Sequence, residues 1–171
     1  MTLTIHVIPM ITDKGFSLPL AATVVATFTG VGGVFQLIGG LMGDRVPKRP
    51  AIAVFISIQA VGVVVLAMAE SILAFYAFAV IFGIGFGGRV PMLIALRGDY
   101  FGRRSFATIF GASLVPMNLI MMVGPIMAGY MYDVYGSYAI PLVALIAANL
   151  IAVPLILLAK QPIRDGDQAP P

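Results

Sequence analysis

The stretch Gly40–Arg49, which reads GLMGDRVPKR, marks the point where a long apolar segment ends and a charged turn begins. One acid and three bases follow the last glycine, and a new apolar segment starts directly afterwards, at Pro50. Small residues allow two helices and a tight loop to approach closely. Basic loops between apolar segments are typical of membrane proteins, so the ordinary reading is a basic cytoplasmic loop with no further role. A functional reading of the same loop stays open beside it.

The composition of the whole chain also indicates a membrane protein. Apolar residues make up 60% of the 171 residues and charged residues only 10%, with a mean hydropathy of +1.05. A soluble domain carries about 25% charged residues, so this chain could not cover a surface that faces water. The net charge is +3, but the bases lie in short segments between apolar runs, which argues against nucleic acid as a partner.

Cofactor and metal chemistry finds little support in the sequence. Cysteine is absent, which excludes disulfides and thiolate metal sites. The single histidine, His6, has no inward cluster of acids beside it, so we expect no metal. No glycine-rich phosphate loop with a lysine occurs, so we expect no ATP site and no other cofactor.

Five apolar segments are long enough to cross a bilayer, which takes roughly 20 residues of α-helix. They are Ser17–Gly43, Pro50–Ala69, Ser71–Leu96, Phe106–Tyr132 and Tyr138–Ala159. The segment Met1–Thr12 is apolar but half as long, and we interpret it as the end of a span whose start lies outside the chain. The half-domain would thus cover residues 1–160, and the polar residues 161–171 are expected to form a disordered cytoplasmic tail.

The distribution of basic residues predicts the orientation of these spans. Eight of the ten Lys and Arg residues lie in every second connection, namely Asp44–Arg49, Arg97–Arg104 and the tail after Ala159. Lys14 lies on the other side, and Arg89 lies inside a span. Because cytoplasmic loops carry the excess of Lys and Arg, those three segments should face the cytoplasm. The sequence therefore predicts a multi-pass protein of the plasma or inner membrane with a cytoplasmic C-terminus.

The charged stretch resembles the loop signature of the major facilitator superfamily, G-x-L-x-D-R-x-G-R-R/K. Met42 replaces the leucine and Pro47 replaces the second glycine. The matching positions are Gly40, Asp44, Arg45, Lys48 and Arg49. In that family the signature lies between helices two and three, with a weaker copy between helices eight and nine. Four spans follow it here, so the resemblance implies the second six-helix half of the fold, with helix seven only partly present.

Two further stretches are similar to one branch of that family, the oxalate/formate antiporters and monocarboxylate transporters. They are Asp99–Phe106, at the link between helices ten and eleven, and Gly124–Tyr138, at the end of helix eleven. The basic residues that hold oxalate in helices eight and eleven are absent, since neither Ser17–Gly43 nor Phe106–Tyr132 contains Lys, Arg or His. Oxalate is therefore disfavoured as the solute, and the missing acid–arginine pair of helix eight leaves monocarboxylates unsupported.

Arg89 is the one charged residue deep inside a span, eight residues before Arg97 and so roughly 12 Å from the basic connection. Charged residues in a membrane are costly and commonly mark a solute or ion path. A guanidinium group suits a carboxylate or phosphate, so an organic anion is a candidate solute. A structural arginine that reaches head groups, or carbonyls freed by Pro91, is the open alternative.

Amide side chains inside the spans supply the remaining candidates for the solute pathway. The resemblance implies that helices eight and eleven line the central cavity, so Gln36 and Asn118 are expected there. Gln59 is expected to bond a neighbouring helix, because helix nine is peripheral in the family. Glycine pairs four residues apart, at positions 39 and 43 and at 83 and 87, predict close helix packing.

The resemblance implies secondary active transport of a small solute by alternating access, with an absent N-terminal six-helix half as the partner within the bilayer. A non-transporting membrane scaffold is the alternative. An enzymatic reading rests on Ser113, in a Gly-Ala-Ser triplet, acting with His6. The glycine that intramembrane serine proteases need after that serine is Leu114 here, so we expect no enzyme.

Overall fold

The computed structural model describes the backbone of residues 2–160, with the side chains of residues 6–102 and 106–160. This part of the chain contains no strand and forms six α-helices. They are α1 (Thr2–Asp13), α2 (Leu18–Gly43), α3 (Lys48–Ala67), α4 (Ile72–Gly102), α5 (Phe106–Tyr135) and α6 (Ala139–Leu158). Helices α2 to α6 are long and apolar enough to cross a membrane, which confirms the predicted all-α polytopic bundle. The predicted disordered tail, 161–171, lies outside the described residues.

Successive helices run in opposite directions, so their connections gather at two ends of the bundle. The basic end holds the loop 44–47, the junction of α4 with α5, and the end of α6 at Leu158. The tyrosine end holds Asp13, Lys14, Tyr132 and Tyr138. These two names are used below.

Helix α3 begins at Lys48, two residues before the predicted start of its span at Pro50. Pro47 is the N-cap of α3, with φ −58°, and its carbonyl accepts a hydrogen bond from the amide of Ala51 at 3.3 Å. Proline has a fixed φ near this value, which suits the start of a helix. The replacement of glycine by Pro47 therefore places Lys48 and Arg49 in the first helical turn instead of in the loop.

The predicted basic loop Arg97–Arg104 is mostly helical, which corrects the boundary taken from the sequence. Helix α4 continues from Leu96 to Gly102, where φ 66° and ψ 172° break the helical path. Glycine tolerates this positive φ because it lacks a Cβ. The charges of 97–99 do not end the helix, because their side chains have partners on other helices, as described below.

Helices α2, α3 and α4 cross at glycines that bring their backbones close together. A methyl group at Gly39 would clash with the backbone of Gly88, and one at Gly87 would clash with the backbone of Gly32. A methyl at Gly62 of α3 would lie 2.9 Å from the amide nitrogen of Phe82 in α4. Close approach of this kind lets transmembrane helices gain van der Waals contact. The predicted packing role of the glycine pairs is confirmed for both, since positions 83 and 87 also face α2.

The buried apolar side chains form two clusters, one towards each end. The cluster near the tyrosine end joins α1, α2, α3, α4 and α6 around Phe75, Phe78 and Phe82. The cluster near the basic end joins α3 and α4 around Ile52 and Met92, with residues of α6 packed against it. Helix α5 contributes one fully buried side chain, Ala128, to the described structure. The core therefore lies between α1, α2, α3, α4 and α6, and α5 lies beside it.

Candidate functional site

The charged residues of the quoted stretch divide into two groups with different surroundings. Asp44 caps the C-terminus of α2, and it and Arg45 are exposed, as is Gly40 in the last turn of that helix. The side chains of Asp44 and Arg45 form no hydrogen bond or ion pair with another residue that the structure describes. Both charges are therefore available to a group outside this bundle.

Lys48 and Arg49 instead bind residues at the end of α4. The Nζ of Lys48 lies 2.8 Å from a carboxylate oxygen of Asp99. The Nε of Arg49 donates to the hydroxyl of Tyr100, and that hydroxyl donates to the carbonyl of Ala159 at 2.8 Å. Positive charge in the first turn of a helix is unfavourable against the helix dipole. These partners offset that cost and connect α3, α4 and the end of α6.

Arg97 has an aromatic partner on the next helix. Its guanidinium carbon lies 5.7 Å from the ring centroid of Phe110 in α5. A cation over an aromatic face is attracted by the quadrupole of the ring. This contact helps to explain why the charged Arg97 can lie within α4, and it joins α4 to the start of α5.

Arg89 lies in the glycine-rich part of α4 and is half-buried. Its guanidinium carbon is 5.6 Å from the ring centroid of Phe86. Its Nε is buried and has no hydrogen-bond partner among the described residues. Gly87, which contacts α2, is two residues away and so about 200° around the helix. Arg89 therefore lies on the side of α4 that faces away from α2.

The other two pathway candidates, Gln36 and Asn118, are exposed on α2 and α5. Within the described residues the side chain of neither forms a hydrogen bond, and none joins either of them to Arg89. Gln36 lies between Gly32 and Gly39, where α2 crosses α4, but on the uncovered side of that crossing. The six helices by themselves do not bring the three candidates together into one site.

A second polar cluster, which the sequence reasoning did not find, lies at the tyrosine end. The hydroxyl of Tyr132 donates to Asp13 at 2.8 Å, and its ring stacks on Tyr138 with centroids 4.3 Å apart. Lys14 donates to the carbonyl of Ala69 at 2.5 Å. The side chains of Asp13, Lys14, Tyr132 and Tyr138 line a recess of about 340 Å³. The tyrosines at the two sides of one short turn, 132 and 138, were the signal available in the sequence.

His6 contacts the backbone of α5 where that helix carries a proline. Its Nε2–H donates to the carbonyl of Pro125 at 3.0 Å, and its ring lies 5.4 Å from that of Tyr138. Ser113 is twelve residues before Pro125 on α5, or about 18 Å along the helix. Its hydroxyl donates to Ile109 at 2.7 Å. The structure thus excludes a hydrogen-bonded pair of Ser113 and His6.

Comparison with known proteins settles the family. The sequence profile of the Major Facilitator Superfamily matches residues 1–170. The chain belongs to this superfamily. The chain is also similar to the uncharacterized transporter YycB of Bacillus subtilis (strain 168), with 31% identity over 115 residues. That alignment covers 65% of this chain and 28% of the relative, so the chain matches less than a third of the relative's length.

Because the chain belongs to this superfamily, the bundle is a multi-pass membrane protein of a transporter family. Superfamily membership also agrees with the signature in the loop after α2, which lies between two membrane-length helices. Neither match separates the oxalate/formate branch from other branches of the superfamily. That finer resemblance therefore remains a prediction.

Proposed function

We propose that this chain supplies one half of a secondary active transporter, which moves a small solute across the cell membrane by alternating access. Transporters of this superfamily consist of two six-helix halves that rock around a site near the middle of the bilayer. Helices α1 to α6 would form the second half, and the partner would be the first half, on the same or another polypeptide. The basic end, with the C-terminus, would face the cytoplasm.

The observation that carries this proposal is the polar, uncovered surface of α2 and α5. None of the most apolar window of α5 is buried in the bundle, and 17% of that of α2 and 11% of that of α6 are, against 50% for α3. Of these exposed helices, only α2 and α5 carry an exposed amide. Polar groups on that surface, Gln36 and Asn118, would be costly if they faced hydrocarbon. A second half that packs against α2 and α5 would enclose both amides in a central cavity. Lipid would cover the remaining apolar faces.

The free charges of the loop support a rocking motion. Lys48 and Arg49 are held by α4, whereas Asp44 and Arg45 are exposed and bind nothing in the described bundle. A carboxylate is stabilised near the positive N-terminus of a helix, and such a helix end in the other half would suit Asp44. We infer that Asp44 forms a contact made in one conformation and broken in the other.

The solute would be a small organic anion, with Arg89 as the cationic group near its path. A guanidinium can offer two parallel N–H groups to a carboxylate. The Nε of Arg89 has no partner among the described residues, so the charge is not neutralised by an acid there. Gln36 and Asn118 would supply neutral hydrogen bonds to the solute from α2 and α5, on a different face of the bundle from the α4 face that carries Arg89. No catalytic step is required of any of these residues.

Uptake of labelled acetate, lactate and inorganic phosphate into membrane vesicles from cells that produce this chain together with the first half tests this proposal. We expect uptake of acetate or lactate above vesicles that lack the protein, whereas uptake of phosphate alone would contradict an organic solute. Asp44→Asn should lower the maximal rate of uptake about tenfold while the KM changes less than twofold, because the substitution affects a conformational contact. Arg89→Gln should abolish uptake at normal membrane levels of the protein. Wild-type uptake no greater than the background for all three anions would contradict anion transport and favour the scaffold function.

A further inference from the structure

Gln59 is a buried amide whose oxygen has nothing to bind among the described residues. It lies on α3, against α4, and its side chain is 7% exposed. Its Oε1 is fully buried and accepts no hydrogen bond from any residue in the described part of the chain. A buried acceptor without a donor costs free energy, and in a bilayer no bulk water is available to it. A donor is therefore expected close by.

The complementary donor is the Nε of Arg89, which is likewise buried and without a partner. The two orphaned atoms are the only side-chain nitrogen or oxygen atoms in the described residues that are both buried and unbonded. One is a donor with a positive charge and the other is a neutral acceptor. Their chemistry allows each to satisfy the other.

The packing of α3 on α4 places these two residues at neighbouring levels. A methyl group at Gly85 would lie 2.8 Å from the Cα of Gln59, so the two backbones touch there. Arg89 is one turn after Gly85 and only about 40° around the helix. Side chains on a helix lean towards its N-terminus, which carries the guanidinium back over that turn. Its position beside Phe86, three residues earlier, agrees with a lean towards the N-terminus of α4, although Phe86 and Gly85 lie on opposite sides of Arg89 around the helix.

We propose that Gln59 is a positioning residue for Arg89, whose Nε–H it binds from Oε1 through one bridging water molecule. The bond would fix the guanidinium and leave its two terminal nitrogens free for an anionic group. A neutral amide is suited to this role because it leaves the charge of Arg89 intact, whereas a carboxylate would neutralise it. The pairing itself is independent of transport, and only its effect on an anion rests on the proposed function.

A double-mutant cycle on the purified chain in lipid nanodiscs tests the pairing. We expect Gln59→Leu to lower the unfolding midpoint by about 2–4 °C, because it leaves the arginine unbonded. In an Arg89→Met background the same change should cost nothing measurable, so the two effects are not additive. Asn149→Leu is the matched control, since its amide donates to Leu145 in its own helix at 2.8 Å. It should shift the midpoint equally in both backgrounds.

The NMR signals of the arginine Nε–H groups give a second test. A glutamine that has only a packing role would not change the Arg89 signal. With isotopically labelled arginine, the Arg89 signal, assigned by its loss in Arg89→Met, should exchange slowly with water. Gln59→Leu should shift it and speed its exchange, whereas Gln59→Glu, which keeps an acceptor, should restore slow exchange. Additive midpoint shifts, or an Arg89 signal unchanged by Gln59→Leu, would overturn the pairing. If either single variant fails to fold, the comparison of Gln59→Glu with wild type still decides, because an unchanged signal would contradict contact.

A separate experiment tests whether Gln59 positions Arg89 for an anion. It compares the unfolding midpoint in sodium acetate, lactate or phosphate with the midpoint in sodium chloride at equal ionic strength. A wild-type shift that Gln59→Glu removes would support the positioning of Arg89 for anions. A wild-type shift that Gln59→Glu and Gln59→Leu both leave intact would overturn it. No wild-type shift with any of these salts would contradict anion binding in the proposed function, while the double-mutant cycle would still decide the pairing.

Discussion

Helices α4 and α5 have nearly the same sequence character but very different surroundings. They contain 31 and 30 residues and share a hydropathy of 1.8 over their most apolar windows. In α4, 44% of that window is buried within the bundle, and in α5 none of it is. Hydropathy therefore reports that a helix can cross a membrane but not whether protein or lipid will cover it.

Small residues explain the difference better than hydropathy does. In α4, Gly83, Gly85, Gly87 and Gly88 bring the backbone of α4 into close contact with α2 and α3. In α5, a methyl group at Gly111 would meet nothing within 4 Å. Without close backbone contact, α5 is attached at separate points, through Phe110, Pro125 and Tyr132. This arrangement suits a helix whose main surface serves another body.

The largest contrast is expected from substituting a glycine in each helix. Gly87→Leu should lower the free energy of unfolding by about 3 kcal/mol, because its side chain would collide with the backbone of Gly32. Gly111→Leu should change it by less than about 0.5 kcal/mol, since the space beside Gly111 is open. Thermal unfolding of both variants in nanodiscs measures the difference. Equal losses would show that α5 is packed as tightly as α4.

A smaller effect is expected at the basic end of α4. Tyr100→Phe removes the hydroxyl that accepts from Arg49 and donates to Ala159, and should cost about 1–2 kcal/mol. Tyr135→Phe, at the end of α5, is the control, because that side chain is 64% exposed and should matter by less than about 0.5 kcal/mol. Denaturation monitored by circular dichroism measures both. A Tyr100→Phe variant as stable as wild type would mean that this bond does not hold α3, α4 and α6 together.

The smallest effect is expected where α5 meets α1. Tyr132→Phe removes an exposed hydrogen bond to Asp13 and should cost about 0.5–1 kcal/mol. Amide hydrogen exchange should increase in the last turns of α5 and leave α4 unchanged. Tyr130→Phe, on the same helix and 64% exposed, should leave exchange unaltered. Faster exchange spread over α4 would contradict the separate attachment of α5.

The sequence predicted the helices well because a membrane span is a long local pattern. It missed the helical start at Lys48 and the continuation to Gly102, because both depend on partners far along the chain, namely Asp99, Tyr100 and Ala159. Charge normally indicates a loop, and here tertiary contacts satisfy the charges within helices.

The candidate site was predicted less completely than the fold. Arg89 was identified because a charge inside a span is rare. The direction of its side chain could not be read from the sequence, because it depends on which faces of α4 meet α2 and α3. Gln59 was predicted to bond a neighbouring helix, and only the structure shows that its oxygen is buried and unbonded while its backbone lies against Gly85, one turn before Arg89. The predicted places of Gln36 and Asn118 in the cavity can be tested only in a protein that also contains the other half.

The orientation of the two ends tests the account most directly, because the proposed half-transporter requires the basic end in the cytoplasm. The chain contains no cysteine, so single cysteines can be introduced without background. Arg45→Cys and Asp99→Cys probe the basic end, and Glu70→Cys and Tyr135→Cys probe the tyrosine end, at four exposed positions. In intact cells an impermeant thiol reagent should label only the tyrosine-end pair, and permeabilisation should expose the other two. Labelling of Arg45→Cys or Asp99→Cys from outside intact cells would contradict the account.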